Sequence, residues 1–178
     1  LVLRKPKWNE KEYLAFINQF TSEEKKKITI CDNPTLAFEE KLNGLHCSNG
    51  FYDGLTQIEK HKIHLKIKQN GQLISISAHH PREWQNRKGH FNQLYLCPIF
   101  PSISKPGYAG NWDLEWMQTE LKQEQEETIV ALGGIQEDKL KQVEEIGFDG
   151  IGILGSIWNE PNNAVSNFKS LLKEIQND

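Results

Sequence analysis

The stretch IVALGGIQEDKLKQVEEIGFDGIGILGS, residues 129–156, decides the fold. Two apolar runs at 129–133 and 151–154 are strand candidates, and a helix candidate at 136–146 separates them. Nearly continuous apolar runs are typical of parallel strands that are buried on both faces. Because parallel strands need a crossover connection, which is usually a helix, this stretch predicts one strand–helix–strand unit.

The same alternation continues over the rest of the chain. Strand candidates lie at 1–4, 28–31, 44–47, 73–77 and 93–97, and helix candidates at 9–20, 34–42, 81–88, 113–126 and 161–176. The repeated pattern predicts an α/β fold with a parallel sheet, either open or closed into a barrel. An open doubly wound sheet usually carries a glycine-rich fingerprint after its first strand, and LVLRKPKW at 1–8 has none. We therefore predict a (β/α)8 TIM barrel, lacking or truncated in its first β-α unit because the chain opens directly on LVLR.

The chain is predicted to form a single domain over residues 1–178, with a β-hairpin insertion near 61–77. Ile63, Leu65 and Ile67 alternate with polar residues, and Asn70-Gly71 is a strong hairpin-turn signal. In the last helix candidate, five apolar residues recur at helical spacing and are predicted to pack in the core: Ala164, Phe168, Leu171, Leu172 and Ile175.

Composition excludes several classes of protein. The formal net charge of −3 argues against a nucleic-acid-binding surface, although a local basic pocket is compatible with it. No apolar run approaches the roughly 18 residues of a membrane span. Three cysteines without CxxC spacing indicate neither a disulfide framework nor a zinc site, so we expect a cytoplasmic protein. Cys31, Cys47 and Cys97 are expected to be small buried hydrophobes.

Polar or small residues follow nearly every predicted strand. In parallel barrels, ligands bind at the carboxyl ends of the strands, so this pattern predicts the mouth of an active site. The residues concerned are Arg4, Asp32, His46, Ser77 with His79, Ser102 to Lys105, Gly133 with Gly134, and Gly155 with Ser156.

Three of these segments suggest a phosphate site. Gly133-Gly134 and Gly155-Ser156 end the last two strands, where barrels often bind phosphate through backbone N–H groups. The alternative is that they are simple tight turns. The segment YLCPIFPSISKPGYAG at 95–110 holds Lys105 in a proline-stiffened loop, where it could meet an anionic substrate. The alternative for Lys105 is a solvated side chain.

Three of these residues carry open alternatives. Asp32 would need a partner at the mouth, either a divalent metal or Arg4, or else Asp32 or Asn33 caps the following helix. His79 stands at a strand end, where a histidine can act as acid, base or phosphate donor. His46 could be bonded to backbone as easily as it could contact a ligand.

Taken together, SISAHH, CPIFPSISK, VALGGI and GILGSI resemble the motifs of thiamine phosphate synthase and of the TenI-type thiazole tautomerases. The resemblance runs from Leu1 almost to the C-terminus, and it begins at what would be the second strand of the family's (β/α)8 barrel. It implies that a pyrimidine pyrophosphate loses pyrophosphate with the help of Mg²⁺. The ring nitrogen of a thiazole phosphate then attacks the cation-like pyrimidine.

The resemblance also implies roles for individual residues. Ser102 and Ser104 stand where the family usually has threonines, and Lys105 matches its loop lysine. The remaining substrate or phosphate contacts would be Ser77, Gly133, Gly134, Gly155 and Ser156. Arg4 and Asp32 would bind the magnesium pyrophosphate, with Asp32 as the metal ligand. The catalytic residues would be His79, Arg4 and Lys105, and His79 would transfer the proton in a tautomerase.

The pyrophosphate side departs from the family pattern. Val2 and Pro6 replace a glutamine and a lysine, and Cys31 stands where asparagine is usual. Gly50 and Phe51 occupy the region of the second metal carboxylate, with Asp53 slightly late. We therefore expect first a thiamine phosphate synthase-type transferase, which uses Mg²⁺. The alternatives are a thiazole tautomerase that needs no metal, and a non-catalytic barrel that binds a phosphate ligand.

The expected partners are small phosphorylated substrates, with no nucleic acid and no membrane. A homodimer would cover the edge that LVLR leaves unpaired if the first strand is absent.

Overall fold

A computed structural model describes residues 1–102, 110 and 112–177. Seven strands lie in one sheet in chain order: Val2–Leu3 (β1), Thr29–Cys31 (β2), Gly44–Cys47 (β3), Leu73–Ala78 (β4), Gln93–Leu96 (β5), Thr128–Leu132 (β6) and Gly150–Gly152 (β7). Each corresponds to one predicted strand, and sequential order is that of a barrel-type α/β fold. The predicted fold class is confirmed.

The helices of the described residues lie between these strands along the chain or follow the last of them. They are Glu10–Ile17 (α1), Ser22–Lys25 (α2), Pro34–Glu39 (α3), Asn49–Gly54 (α4), Gln57–Asn70 (α5), Pro81–Arg87 (α6), Leu114–Leu121 (α7), Leu140–Ile146 (α8), Gly155–Trp158 (α9) and Ala164–Asn177 (α10). Short 3₁₀ turns at Glu137–Lys139 and Pro161–Asn163 precede α8 and α10. In the part of the chain that the structure describes, no helix is long and apolar enough to span a bilayer.

The chain divides into two compact units. The first comprises residues 1–77 and 91–93, and the second comprises 78–90 and 94–178. In the first unit β1, β2, β3 and β4 pair in parallel, with Thr29 opposite Gly44 and His46 opposite Ser75. In the second unit β6 and β7 pair in parallel, with Val130 opposite Gly150. That all of residues 1–178 form a single domain stays a prediction.

The core of each unit consists of its strands and the inner faces of its helices. In the first unit, β2 is buried along its whole length, and Leu45 and Ile76 are fully buried on the next two strands. In the second unit, Ile129 and Ala131 of β6 are fully buried, together with Met117 of α7. Burial on both faces is the reason why these strands are nearly continuous apolar runs.

The hairpin predicted near 61–77 is wrong, because most of this segment is the helix α5. Ile63 and Ile67, four residues apart, form its buried face, while Leu65 is exposed. The apolar alternation at 63, 65 and 67 therefore concealed a helical spacing. Thr56 and Glu59 form a capping box at the start of α5, and Gly71 ends it in the left-handed conformation with φ of 64°. The Asn70-Gly71 pair is thus a helix C-terminus rather than a hairpin turn.

The predicted core stripe of α10 is only half correct. Ala164 and Leu171 are buried, as predicted. Phe168, Leu172 and Ile175 are about half exposed, at 50%, 39% and 46%. These three residues form a second row of apolar side chains on α10. The apolar surface of the helix is therefore wider than the part that the described residues bury.

Candidate active site

The carboxyl ends of the first unit's strands carry Arg4, Asp32, His46 and Ser77. Arg4 follows β1 directly and Asp32 follows β2, while His46 lies within β3 and Ser77 within β4. Parallel pairing of the four strands places these ends at the same edge of the sheet. The sequence prediction that they share one end of the sheet is therefore met for this unit.

Asp32 connects the loops that follow β2 and β3. Its Oδ1 accepts a hydrogen bond of 2.6 Å from the backbone N–H of Ser48. Its backbone is left-handed, with φ of 57°, a conformation that aspartate tolerates better than most residues. The cap of α3 is Asn33 instead, whose Oδ1 accepts the backbone N–H of Leu36 at 3.0 Å. Of the two residues considered for helix capping, Asn33 takes that role.

Arg4 and Asp32 both act on the thiol of Cys31. The pKa of Cys31 is raised to about 12, first by burial and then by the negative charge of Asp32, while Arg4 opposes the shift. The thiol is therefore protonated at neutral pH, and a protonated thiol is a poor nucleophile. Cys31, Cys47 and Cys97 are all buried, as predicted, and none of them forms a disulfide.

His46 is held between two serines of β4. Its Nδ1 lies 3.0 Å from Oγ of Ser75, and its Nε2 lies 3.4 Å from Oγ of Ser77. The two serines are two residues apart on one strand, so both side chains point to the same face of the sheet. The imidazole therefore spans the distance between a buried hydroxyl and a hydroxyl nearer the strand end.

The imidazole of His46 is neutral at pH 7. Its pKa is lowered to about 4, mainly by burial; Asp32 opposes the shift, and Arg4 makes a smaller contribution that lowers the pKa. Burial of a histidine disfavours its charged form. A neutral imidazole can donate one hydrogen bond and accept another, as a bridge between two hydroxyls requires.

In the second unit, His79 lies just beyond β4 and is exposed. Its Nδ1 lies 3.1 Å from the carbonyl oxygen of Cys97, and its backbone N–H donates to Oε2 of Glu83 at 2.6 Å. The Sγ of Cys97 also lies 3.4 Å from Nδ1. Since a carbonyl oxygen only accepts, a hydrogen bond to the Cys97 carbonyl requires the proton on Nδ1 and leaves the lone pair of a neutral ring on Nε2. His79 therefore presents a base at Nε2. His80 is the N-cap residue of α6, and its side chain accepts the backbone N–H of Glu83.

Gly133 and Gly134 form a left-handed turn after β6, with φ of 94° and 69°. The segment after β5 packs directly on this turn, since the N–H groups of Ile99 and Phe100 donate to the carbonyls of Leu132 and Gly133. A Cβ at Gly134 would lie 2.5 Å from the carbonyl oxygen of Pro101. The two glycines therefore have a packing role, and a phosphate contact by them stays a prediction.

Gly155 and Ser156 begin α9, directly after β7. The hydroxyl of Ser156 donates to the carbonyl oxygen of Ile135, in the loop that follows Gly134. The hydroxyl thus joins the loops after β6 and β7. Its proton is engaged with protein, so a phosphate contact at this position would come from backbone N–H groups, which have no acceptor within the first turn of a helix.

The proline-stiffened loop is described only in part. Ser102 is half-buried and interacts with other groups of the protein. Ser104 and Lys105, both predicted to contact phosphate, lie outside the described residues. The roles of all three stay predictions.

A complete protein-derived metal site is absent from residues 1–102, 110 and 112–177, where no three His, Cys, Asp or Glu side chains cluster suitably. Asp53, the late candidate for a second carboxylate, is an exposed residue of α4. The half-buried carboxylate of Asp32 is the ligand that remains from the sequence prediction. A single carboxylate fits Mg²⁺ when substrate phosphates and water supply the other oxygens.

Sequence reasoning missed Ser75 and Ser48. Ser75 was visible as part of the alternation ISIS at 74–77, which places it on the same face as Ser77. Ser48 interacts with Asp32 through its backbone N–H, so no side-chain pattern could have indicated it.

Comparison with known proteins gives a consistent result. The family model described as thiamine monophosphate synthase matches residues 1–157. A thiamine-phosphate synthase of Anoxybacillus flavithermus is 39% identical over 129 residues, which are 72% of this chain and 56% of that protein. A thiamine-phosphate synthase of Proteus mirabilis is 29% identical over 51% of this chain and 43% of its own length. The chain thus spans about half the length of the curated relatives it matches.

Solved structures share the fold. Thiamine phosphate pyrophosphorylase from Bacteroides thetaiotaomicron superposes with a TM-score of 0.72 at 22% identity, covering 98% of this chain and 83% of that one. The enzyme of the same name from Pyrococcus furiosus gives a TM-score of 0.69 at 16% identity, with 98% and 82% covered.

Proposed function

Since the chain belongs to the thiamine monophosphate synthase family, we propose that it joins a pyrimidine pyrophosphate to a thiazole phosphate and releases pyrophosphate. The observation that carries this proposal is the placement of Asp32. It is a half-buried carboxylate at the end of β2, fixed by the backbone of Ser48, with Arg4 acting on the same neighbouring thiol. A carboxylate and a guanidinium at the ends of adjacent strands suit a metal-bound pyrophosphate.

Arg4 and Asp32 of the first unit are proposed to bind the magnesium pyrophosphate. Asp32 would hold Mg²⁺, which would neutralise negative charge on the leaving group, and Arg4 would bind phosphate oxygens. The bond between the pyrimidine and the pyrophosphate oxygen breaks, and its electron pair leaves with pyrophosphate. The lone pair of the thiazole ring nitrogen then forms the new bond to the cationic pyrimidine. The protein contributes charge stabilisation and positioning rather than a covalent intermediate.

Residues of the second unit are proposed to bind the thiazole phosphate. Lys105 would supply a cation, Ser102 and Ser104 would supply hydroxyls, and the N–H groups of the glycine turns would supply further donors. Ser156 would contribute through its backbone, because its hydroxyl donates to Ile135. In the first unit, Ser77 would add one more hydroxyl contact to substrate.

A thiazole tautomerase is the second candidate, and the geometry of His79 favours it. The contact between Nδ1 and the carbonyl of Cys97 leaves Nε2 of an exposed imidazole as a base. Such a group can remove a proton from one position of a thiazole and return it to another without a metal.

One experiment distinguishes these functions. Both substrates are supplied with Mg²⁺ and pyrophosphate release is measured; the thiazole tautomer is then supplied alone and its isomerisation is measured. For the transferase, Asp32→Asn should lower pyrophosphate release about tenfold to a hundredfold, the loss expected for one charge-assisted contact. Asp138→Asn, which removes an exposed carboxylate far along the chain, should have no effect.

Two other outcomes of this experiment would contradict the transferase function. Isomerisation that is lost in His79→Ala and unaffected by a chelator would identify the tautomerase. Binding of thiazole phosphate without either activity would identify a non-catalytic barrel.

A phosphate role for Lys105 predicts a loss of affinity in Lys105→Ala. Binding of the thiazole phosphate should weaken about tenfold to a hundredfold, because a charge-assisted hydrogen bond is lost. Isothermal titration calorimetry measures this, and Lys122→Ala, which removes an exposed lysine just after α7, is the control. Equal affinity in the two variants would exclude Lys105 from the site.

We further propose that the protein acts in the cytoplasm and associates as a homodimer. The first part is supported by three buried cysteines, none of which forms a disulfide. The homodimer is supported by the position of β1 at one end of the described strand order, where it pairs with β2.

A further inference from the structure

Ser75 is a buried polar residue to which the proposed function assigns no task. It lies in β4, opposite His46 of β3, and only 1% of its surface is exposed. Its Oγ lies 3.0 Å from Nδ1 of His46, its sole side-chain hydrogen-bond partner among the described residues. A hydroxyl buried to this extent must place its proton on an acceptor, since an unsatisfied buried donor costs free energy.

The position of the Ser75 proton determines the tautomer of His46. If Nδ1 carried the ring proton, it would donate to Ser75, and the buried Ser75 proton would have no acceptor in the described structure. If Nδ1 instead carries the lone pair, Ser75 donates to it and both groups are satisfied. The ring proton of the neutral imidazole is then on Nε2.

The Nε2 proton in turn determines what Ser77 can do. Nε2 lies 3.4 Å from Oγ of Ser77, so an N–H at this position can donate to that oxygen. Ser77 then accepts from His46, and its own proton is left for another acceptor. Ser77 is half-buried near the end of β4, where a substrate atom can approach it.

We propose that Ser75 is a positioning residue that fixes His46 in the Nε2–H tautomer and thereby makes the Ser77 hydroxyl a hydrogen-bond donor to the phosphorylated substrate. The tautomer depends on the protein alone. The last step, donation to a substrate, rests on the proposed function.

The tautomer is tested by ¹⁵N NMR of the imidazole at neutral pH, without any ligand. We expect a pyridine-type resonance for Nδ1 of His46 and a pyrrole-type resonance for Nε2. Ser75→Ala should remove this preference and give exchange-averaged shifts, whereas Ser75→Thr, which keeps the hydroxyl, should retain it. Thr29→Val removes a different buried hydroxyl, on β2, and should leave the His46 spectrum unchanged.

A pyrrole-type Nδ1 in the unaltered protein would overturn the proposal, and so would a His46 spectrum that Ser75→Ala leaves unchanged. The first result requires no variant, so the proposal is decided even if Ser75→Ala does not fold.

The substrate step is tested by steady-state kinetics. Ser75→Ala should raise KM about threefold to tenfold with little change in kcat, as expected for the loss of one neutral hydrogen bond to bound substrate. Combined with Ser77→Ala it should add nothing, because both act through the same hydroxyl. Additive effects would overturn this step. Absence of pyrophosphate release in all variants, with the predicted tautomer present, would contradict the proposed function and leave the tautomer assignment in place.

Discussion

Lowering the pH from 7 to 4 should cost the protein about 3 kcal/mol of unfolding free energy through His46 alone. The folded-state pKa of His46 is about 4, against 6.5 for an ordinary solvated histidine. Between these two pH values the unfolded chain binds the additional proton, so this contribution is fully present above pH 6.5. It is lost as the pH falls toward 4.

The measurement is urea unfolding at several pH values between 4 and 7. His46→Gln should flatten the dependence of unfolding free energy on pH, whatever its effect on absolute stability. His61→Gln, which replaces an exposed histidine of α5, should keep the slope of the unaltered protein. If the slopes for His46→Gln and the unaltered protein coincide, the imidazole is not buried as described. NMR titration of His46 in the unaltered protein gives the same pKa independently.

Gly134→Ala should destabilise the protein by about 3 kcal/mol, from the left-handed backbone and from overpacking together. The added methyl group would lie 2.5 Å from the carbonyl oxygen of Pro101 and 2.6 Å from that of Phe100. Backbone atoms cannot move aside as a flexible side chain can. The turn after β6 and the segment after β5 would have to separate.

Thermal unfolding measures this effect, and about 3 kcal/mol corresponds to a fall in Tm of roughly 6–12 °C for a chain of this size. Gly150→Ala is the matched control, because a Cβ there meets nothing within 4 Å and its backbone is not left-handed. We expect Gly150→Ala to be neutral or slightly stabilising. Equal Tm values for the two variants would show that the two loops do not pack as described.

The strands could be predicted from the sequence because burial on both faces requires nearly continuous runs of apolar residues. The same signal failed at 61–77, since residues 63 and 67 satisfy a strand period and a helix period equally well. Only tertiary packing, which buries Ile63 and Ile67 and leaves Leu65 exposed, decides between them. A capping box at Thr56 and Glu59 was the available local clue.

The candidate site shows a similar division. Residue types at strand ends were readable, and so was the shared face of Ser75 and Ser77. The contact between Asp32 and the backbone of Ser48 could not be predicted, because almost every residue type has a backbone N–H that can donate. The packing demand on Gly134 also depends on a segment more than thirty residues away.

The twist of the main chain at Asp32 restricts what could replace it. Asparagine and glycine enter this region of backbone space readily, whereas a longer or branched side chain would pay roughly 1–2 kcal/mol to do so. Replacing Asp32 by glutamate would therefore change the length of the side chain and the backbone strain at the same time. Asparagine keeps the oxygen that receives the Ser48 amide and removes only the charge, so any deficit it causes is electrostatic in origin.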